Sequence, residues 1–370
     1  MRIAFYCSSL SWGGLEMNVL KRAQWMTNRG HDIVLYCVKD TQLFLEASNN
    51  GIVRIQTVQR NKKSFDLRNA FRVKKLLQNE KTDLVWFADK RDLSLIFLVK
   101  WIWLKSLKVL FQQSMQLGVN KKEWWHTIRF KRIDFWIAPL NYLAEQVLNK
   151  THFPKERIHV VPQGLEVQKF LDELPSKEEA RSYFDLEDKD IVVGMIGRID
   201  YAKSQRFVMD VVKDLQDEFK CLKMLMVGNK TEGEWEEYYE EIVKEIQDLK
   251  SPGTIKLFPF MKEVGYFYKA IDIFVMASKN ETYGMVTIEA MLSGNKIVGT
   301  NAAGTKELLD NAKNGYYFNW MDDSSLKEAL KHILTDPKTA DEKASRAKEI
   351  AVSSFSHENE LAQIEEIVQS

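Results

Sequence analysis

Only three cysteines, Cys7, Cys37 and Cys221, occur in 370 residues, odd in number and far apart. That excludes a disulfide framework and reads each of them as a small buried hydrophobe in a reducing, cytoplasmic setting. Long apolar runs are missing as well. The longest candidate, LSLIFLVKWIWLK at 93–105, is interrupted by Lys100 and is too short to span a bilayer. The opening MRIAFYCSSL carries one basic residue and no small-residue cleavage site, so it reads as a strand rather than a signal peptide. No low-complexity tract or short repeat occurs. The dinucleotide fingerprint GxGxxG is also absent after the first strand, where SLSWGGLEMNV stands instead.

The chain is long enough for two domains, each with its own core. Its net charge of +1 hides a split: 27 basic against 13 acidic residues up to 165, and 26 against 39 beyond. Such a split has two readings. The basic half could face an anionic surface, or the two halves could attract each other across a cleft. Strand-like runs alternate with helical patterns throughout. RIAFYCS, RGHDIVLYCV, TDLVWFA, LKVLFQQS, FWIAPL and IHVVPQG fill the first half. DIVVGMIGRID, CLKMLMVG, GTIKLFPF, AIDIFVMAS and NKIVGT fill the second. This alternation predicts two doubly wound parallel-sheet domains, with ligands at the carboxyl ends of the strands. The boundary falls in the charged stretch 166–190, giving domains over 1–168 and 169–345 and a terminal helical segment, 346–370.

Three loops have the chemistry to hold a phosphate. Gly13-Gly14 opens a helix whose first backbone N–H groups can face an anion, although a glycine pair alone is more often a turn. GMIGRIDYAKSQ puts Arg198 and Lys203 beside a helix start at a strand's carboxyl end, where two cations suit a diphosphate. ETYGMVTIEAMLSG begins a helix near Tyr283–Gly284 and stops it at Gly294. Glu281 then precedes the helix, and Glu289 stands about two turns inside it. The N–H groups of Gly284, Met285 and Val286 lack intrahelical acceptors and are free for phosphate oxygens. A carboxylate can accept both hydroxyl protons of a ribose, which gives Glu289 a reason to stand among apolar residues.

On GGLE, RGHDIVLY, TDLVWF, VVPQG, IGRIDYAKS, LFPF…AIDIFVMAS and TYGMVTIEAMLSG with its acid pair, the chain resembles the retaining family-4 glycosyltransferases over nearly its whole length. That resemblance implies the GT-B fold: an α/β architecture of two facing Rossmann-like domains with a cleft between them. The first domain would select the acceptor and the second bind the donor. Carried over, Glu281 lies by the donor sugar, Glu289 binds the ribose, and Arg198 and Lys203 hold the diphosphate. Backbone from Tyr283 through Gly284 and Met285 to Val286 reaches phosphates and sugar. Gly14 closes on the diphosphate from the other domain, Pro259–Met261 frames the base, and 346–370 crosses back to the first domain. The implied reaction moves a sugar from a nucleotide-diphosphate sugar to a hydroxyl with retention. It needs no cofactor beyond that co-substrate and no metal, so Asp188-Lys189-Asp190 reads as a solvated turn.

The chain departs from the family pattern at Ser204, where glycine is usual after the lysine, and at Phe258-Pro259-Phe260. It also has Gln112, Gln113 and Ser114 where many relatives place a histidine. Gln113, Ser114 and His126 are therefore the acceptor-side candidates. Arg68, Arg72 and Lys75 share one helix face. With Trp101, Trp103, Trp124 and Trp125, at least half of them expected in the core, they suit an anionic, partly apolar partner. The expectation is a glycan or lipid-linked acceptor reached at the inner face of a membrane, with no role for nucleic acid. Two other readings share the fold: a nucleotide-sugar 2-epimerase, which would turn over without acceptor, and a non-catalytic sugar-nucleotide-binding subunit.

Overall fold

Strands buried on both faces read as continuous apolar runs, and each of the eleven strand-like runs named above contains a strand. The computed structural model describes all residues except 52, 62–65, 231, 232, 234 and 250. The chain divides into two compact units, Met1–Pro162 with Glu360–Ser370, and Gln163–Asn359.

In the first unit, β1 (Arg2–Cys7), β2 (Asp32–Val38), β3 (Arg54–Val58), β4 (Leu84–Phe87), β5 (Lys108–Gln112), β6 (Phe135–Ala138) and β7 (Ile158–Val160) form a seven-stranded sheet ordered β3-β2-β1-β4-β5-β6-β7. In the second, β8 (Ile191–Ile196), β9 (Leu222–Val227), β10 (Ile255–Phe258), β11 (Ile273–Met276), β12 (Lys296–Thr300) and β13 (Tyr316–Phe318) form a six-stranded sheet ordered β10-β9-β8-β11-β12-β13. All pairings are parallel. Strand order reverses between β1 and β4 in one sheet and between β8 and β11 in the other. Those are the crevices where doubly wound sheets take their ligands.

The unit boundary lies earlier than the 168/169 division read from the sequence. Leu165 bridges in parallel to Ser356, and a Cβ on Gly164 would come within 2.5 Å of the Ser356 carbonyl oxygen. That close backbone contact ties 163–168 to the second unit. The terminal segment also divides. Helix Pro337–Ser354 buries Ala340, Ala344, Ala347 and Ala351 and packs on helix Met285–Ser293 within the second unit. Only Glu360–Ser370 joins the first unit. There Leu361, Ile364 and Val368 enter the core beside Val19, Ala23 and Leu110.

Lys100, which interrupts the longest apolar run, is buried and pairs with Asp134. The run itself is a helix, Leu93–Leu98, continued by a π-helical turn, Val99–Trp103. The basic helix expected near 64–78 spans Leu67–Asn79; positions 64 and 65 lie outside the described residues. Its Arg68, Arg72 and Lys75 are exposed. Trp103 and Trp125 pack against the core, whereas Trp101 and Trp124 are 45% and 71% exposed. Cys7 and Cys37 are buried and Cys221 is half-buried; none is disulfide-bonded. Among the described residues no helix is long and apolar enough to cross a membrane.

At the reversal point of the first sheet sits Asp92, fully buried, accepting hydrogen bonds from the Ser8 amide and hydroxyl and from Asn61 Nδ2. Burial pushes its carboxyl up to about 7; the Ser8 and Asn61 hydrogen bonds oppose the shift and the nearby Asp89 adds to it. Between the ordinary aspartate value and 7 the folded protein keeps a proton that the unfolded chain has lost. Stability therefore falls as pH rises through that window and levels off above it. Urea denaturation at pH 5.5 and pH 8 should show wild type losing about 2 kcal/mol relative to Asp92→Asn. Parallel pH profiles for the two proteins would refute the assignment.

Candidate functional site

The site in the second unit forms at the carboxyl ends of β8 and β11, the two strands flanking the sheet's reversal point. The chain leaves β8 through Gly197, whose carbonyl oxygen would lie 1.8 Å from a Cβ on Gly228. Only glycine at 228 lets these two strand exits approach so closely. Arg198 follows. Its side chain is 64% exposed, and the guanidinium stands 3.6 Å from Asp200 Oδ2. Asp200 is buried and its carboxylate caps the Lys203 amide at 3.1 Å. Gln205 Nε2 donates to the Arg198 carbonyl at 2.8 Å and holds the loop from the other side.

Lys203 Nζ lies 2.8 Å from Glu281 Oε2, with the two side chains 29% and 18% exposed. The sequence-predicted diphosphate cation and sugar-side carboxylate are thus brought together as an ion pair. An ammonium has three donors, so one bond to Glu281 leaves two for phosphate oxygens. Ser204, where the family usually has glycine, sits at φ 58° and ψ 34°. A left-handed conformation costs a non-glycine residue about 1–2 kcal/mol. In return its hydroxyl accepts a 3.0 Å hydrogen bond from Trp320 Nε1.

After β11 the chain reaches Gly284 at φ 88° and begins helix Met285–Ser293 there, with Gly294 closing it at φ 82°. A side chain at 284 would be strained by that φ and would crowd Glu281 and Thr287 at 3.3 Å. Thr287 is the first residue of the helix whose N–H reaches a backbone acceptor among the described residues, the Gly284 carbonyl at 2.8 Å. The amides of Gly284, Met285 and Val286 precede it, as the sequence predicted. Helix Gln205–Leu215 starts nearby in the fold, after β8, so two helix N-termini stand at adjacent strand ends and favour negative charge there.

Glu289 lies little more than one turn inside its helix, not two, because the helix starts at Met285 rather than Tyr283. Tyr268 Oη donates to Glu289 Oε2 at 2.7 Å and fixes the carboxylate. Burial, the Glu289 charge and that hydrogen bond all hold the Tyr268 phenol well above its ordinary value. The Tyr283 hydroxyl donates to the Gln163 carbonyl at 2.7 Å, which commits its side-chain donor within the second unit. Met261 is half-buried just beyond β10, and the Phe260 amide before it is held by Asn229 Oδ1 at 2.9 Å. Asp188 and Lys189 are exposed, but Asp190 is not solvated. It is buried against Lys223 at 2.7 Å and accepts from the Glu187 amide.

In the first unit, Gly14 is exposed and opens helix Gly14–Asn28. Gln113 is buried with both ends committed: Oε1 accepts from Trp136 Nε1 at 2.9 Å and Nε2 donates to the Met115 carbonyl. Those bonds brace β5 against β6 and leave little of Gln113 for an acceptor. Ser114 is half-buried in the loop that follows. His126 Nδ1 lies 2.6 Å from Arg129 Nη2 and its ring stacks on Phe130. Burial, then Arg129 and Lys121, hold its pKa below the ordinary value, so the ring is neutral.

Two family models match this chain: Glycosyltransferase Family 4 over residues 12–169, and Glycosyl transferases group 1 over residues 176–351. The chain belongs to glycosyltransferase family 4. A D-inositol 3-phosphate glycosyltransferase of Corynebacterium urealyticum is 26% identical to this family-4 chain over 221 residues, 58% of the chain and 52% of the relative. A lipopolysaccharide 1,2-N-acetylglucosaminetransferase of Salmonella typhimurium is 22% identical over 62% of the chain and 60% of the relative. The family-4 chain thus spans about half the length of the curated relatives it matches. Among solved structures, Anabaena HepE in complex with UDP superimposes with TM-score 0.85 at 19% identity, covering both chains fully. A Rickettsia africae glycosyltransferase superimposes with TM-score 0.86 at 19% identity, covering 97% of that chain. The fold is GT-B.

Sequence reasoning missed Tyr268, Asp200, Gln205 and Asn229 in this family-4 site. Asp200 had a local signal, a helix-capping aspartate three residues before Lys203. Tyr268 had none, since only the packing of helix Val264–Ala270 brings it to Glu289.

Proposed function

We propose that this chain transfers a sugar from a nucleotide-diphosphate sugar to an acceptor hydroxyl, retaining anomeric configuration and using no metal. The observation carrying this reading is the Lys203–Glu281 pair beside the start of helix Met285–Ser293 at one sheet crevice, with Arg198 linked to the same loop through Asp200 and Glu289 anchored one turn further on. As the bond to the sugar breaks, negative charge grows on the departing diphosphate. Arg198, Lys203 and the amides of Gly284, Met285 and Val286 stabilise it where it forms, neutralising charge as a divalent ion would. Glu289, oriented by Tyr268, takes the ribose hydroxyls; Met261 flanks the base and Glu281 the sugar. HepE was solved with UDP, which makes UDP the first nucleotide to test.

UDP should raise the thermal midpoint of wild type as its concentration exceeds Kd, and should do so far less for Lys203→Ala. If none of UDP, GDP and ADP shifts wild type, the reading is lost.

The relatives named for lipopolysaccharide, glycolipid and inositol phosphate transfer support an acceptor class of glycans or lipid-linked glycans made for the cell surface. The exposed Trp101 and Trp124, with Arg68, Arg72 and Lys75, support peripheral docking on an anionic membrane. Flotation with phosphatidylglycerol vesicles at low salt should carry the protein upward, and failure to float would remove this part of the proposal.

A further inference from the structure

The first unit contains a cavity of about 360 Å³ at the carboxyl ends of β4 and β5. Its walls carry Lys90, Arg91, Lys121 and Arg129, against a single acid, Asp89. Its floor is apolar and aromatic, from Leu93, Phe111, Phe130 and Trp136. Such a volume suits one small ligand with an apolar face and a charged end.

Charge in this cavity is unbalanced. Among the described residues no carboxylate lies within ion-pair distance of any of the four cations. Arg129 is half-buried and satisfied only by neutral partners. Nη1 donates to Ser94 Oγ at 2.9 Å, Nη2 meets His126 Nδ1 at 2.6 Å, and Nε is buried without an acceptor. Its guanidinium also lies over the Trp125 ring, 5.2 Å from the centroid. Because His126 accepts from Arg129 at Nδ1, its own proton sits on Nε2 and makes the ring a further donor. Lys90 spends one hydrogen bond on the Gln116 carbonyl at 3.2 Å. Burial, and then Lys121, lower its pKa, so Lys90 and Lys121 are close enough to repel. Arg91, Lys121 and Arg129 are half-buried and Lys90 is exposed, with Asp89 the one opposing charge in the lining. Holding half-buried cations against so little counter-charge is costly, and a bound anion offsets that cost.

We propose that this cavity binds the phosphoryl group of a phosphorylated sugar or polyol that serves as, or forms the end of, the acceptor. Four cations against one acid match a dianionic phosphoryl group better than a singly charged carboxylate. The aromatic floor suits the C–H face of a sugar ring. The inference rests on the reading of the chain as a glycosyltransferase whose first unit holds the acceptor, and it deepens that reading.

Titration calorimetry of the full chain tests it, with inorganic phosphate, glucose 6-phosphate, glucose and UDP each as probe. Glucose 6-phosphate should bind wild type at least tenfold more tightly than glucose, with phosphate between them. Arg129→Gln should weaken glucose 6-phosphate binding at least tenfold and leave UDP binding unchanged. Lys121→Gln, whose side chain makes no hydrogen bond to the described residues, should weaken it several-fold and serves where Arg129→Gln does not fold. Binding of UDP with no binding of either phosphate overturns the cavity assignment alone. So does phosphate binding that neither variant alters, or glucose binding as tightly as its phosphate. Failure of UDP, GDP and ADP alike to bind overturns the glycosyltransferase reading instead.

Discussion

Glu281→Gln should slow sugar transfer by about 10²–10³-fold while leaving UDP bound as tightly as in wild type, or more tightly. The two effects separate because of the Lys203–Glu281 pair. The carboxylate now holds one of the ammonium's three donors and sets a negative charge beside the phosphate position. Removing the charge frees Lys203 for the diphosphate, so affinity for the leaving group does not fall. On the proposed reading the carboxylate acts at the sugar, where charge develops only as the bond breaks. Lys203→Ala should behave in the opposite sense. On the proposed reading it removes a contact to the diphosphate that is made in the ground state and is stronger in the transition state, so binding and turnover fall together. Measuring Kd for UDP and kcat for transfer on both variants checks the pair. A Glu281→Gln protein that loses UDP tenfold, beside a Lys203→Ala protein that keeps it, would reverse the two roles.

What could be read from the chain, and what could not, follows burial and distance. Strands such as VVGMI and MLMV are legible because a central parallel strand is covered on both faces. β3 and β13 were not read as strands. Both are edge strands, and β3, RIQTV, is only half-buried along its length. Arg198, Lys203, Glu281 and the helix start are legible because each sits in a loop directly after a strand. The sequence therefore places them at one sheet edge before any side chain is seen. Tyr268 and Asn229 act through contacts made by other elements, and no local pattern announces them. Gln113 shows the converse failure: a glutamine at a strand end looks like a ligand group, yet here its amide is consumed by Trp136 and Met115. Ser204 departs from the family pattern without loss of backbone geometry, since it adopts the left-handed conformation and uses its hydroxyl on Trp320.

The largest stability effect should come from the far end of the chain. Glu360 and Arg22 pair at 2.7 Å with side chains only 0% and 4% exposed. Removing one partner of such a pair leaves a buried charge without compensation, and Glu360→Ala should cost about 3–5 kcal/mol in urea denaturation. Replacing both partners, as Arg22→Met with Glu360→Leu, should cost clearly less than the single change, because no charge is then stranded and apolar volume is kept. The neighbouring Arg29–Glu365 pair at 2.5 Å is more open to solvent, with its arginine side chain 35% exposed, and should contribute less. The difference matters for how Glu360–Ser370 is held. Leu361, Ile364 and Val368 supply apolar contact, which is non-directional and would tolerate rotation of the helix by a side chain's width. The Arg22–Glu360 bond admits one rotation and one register. A Glu360→Ala protein as stable as wild type would mean that apolar packing alone docks this segment and that the buried pair adds nothing to its placement.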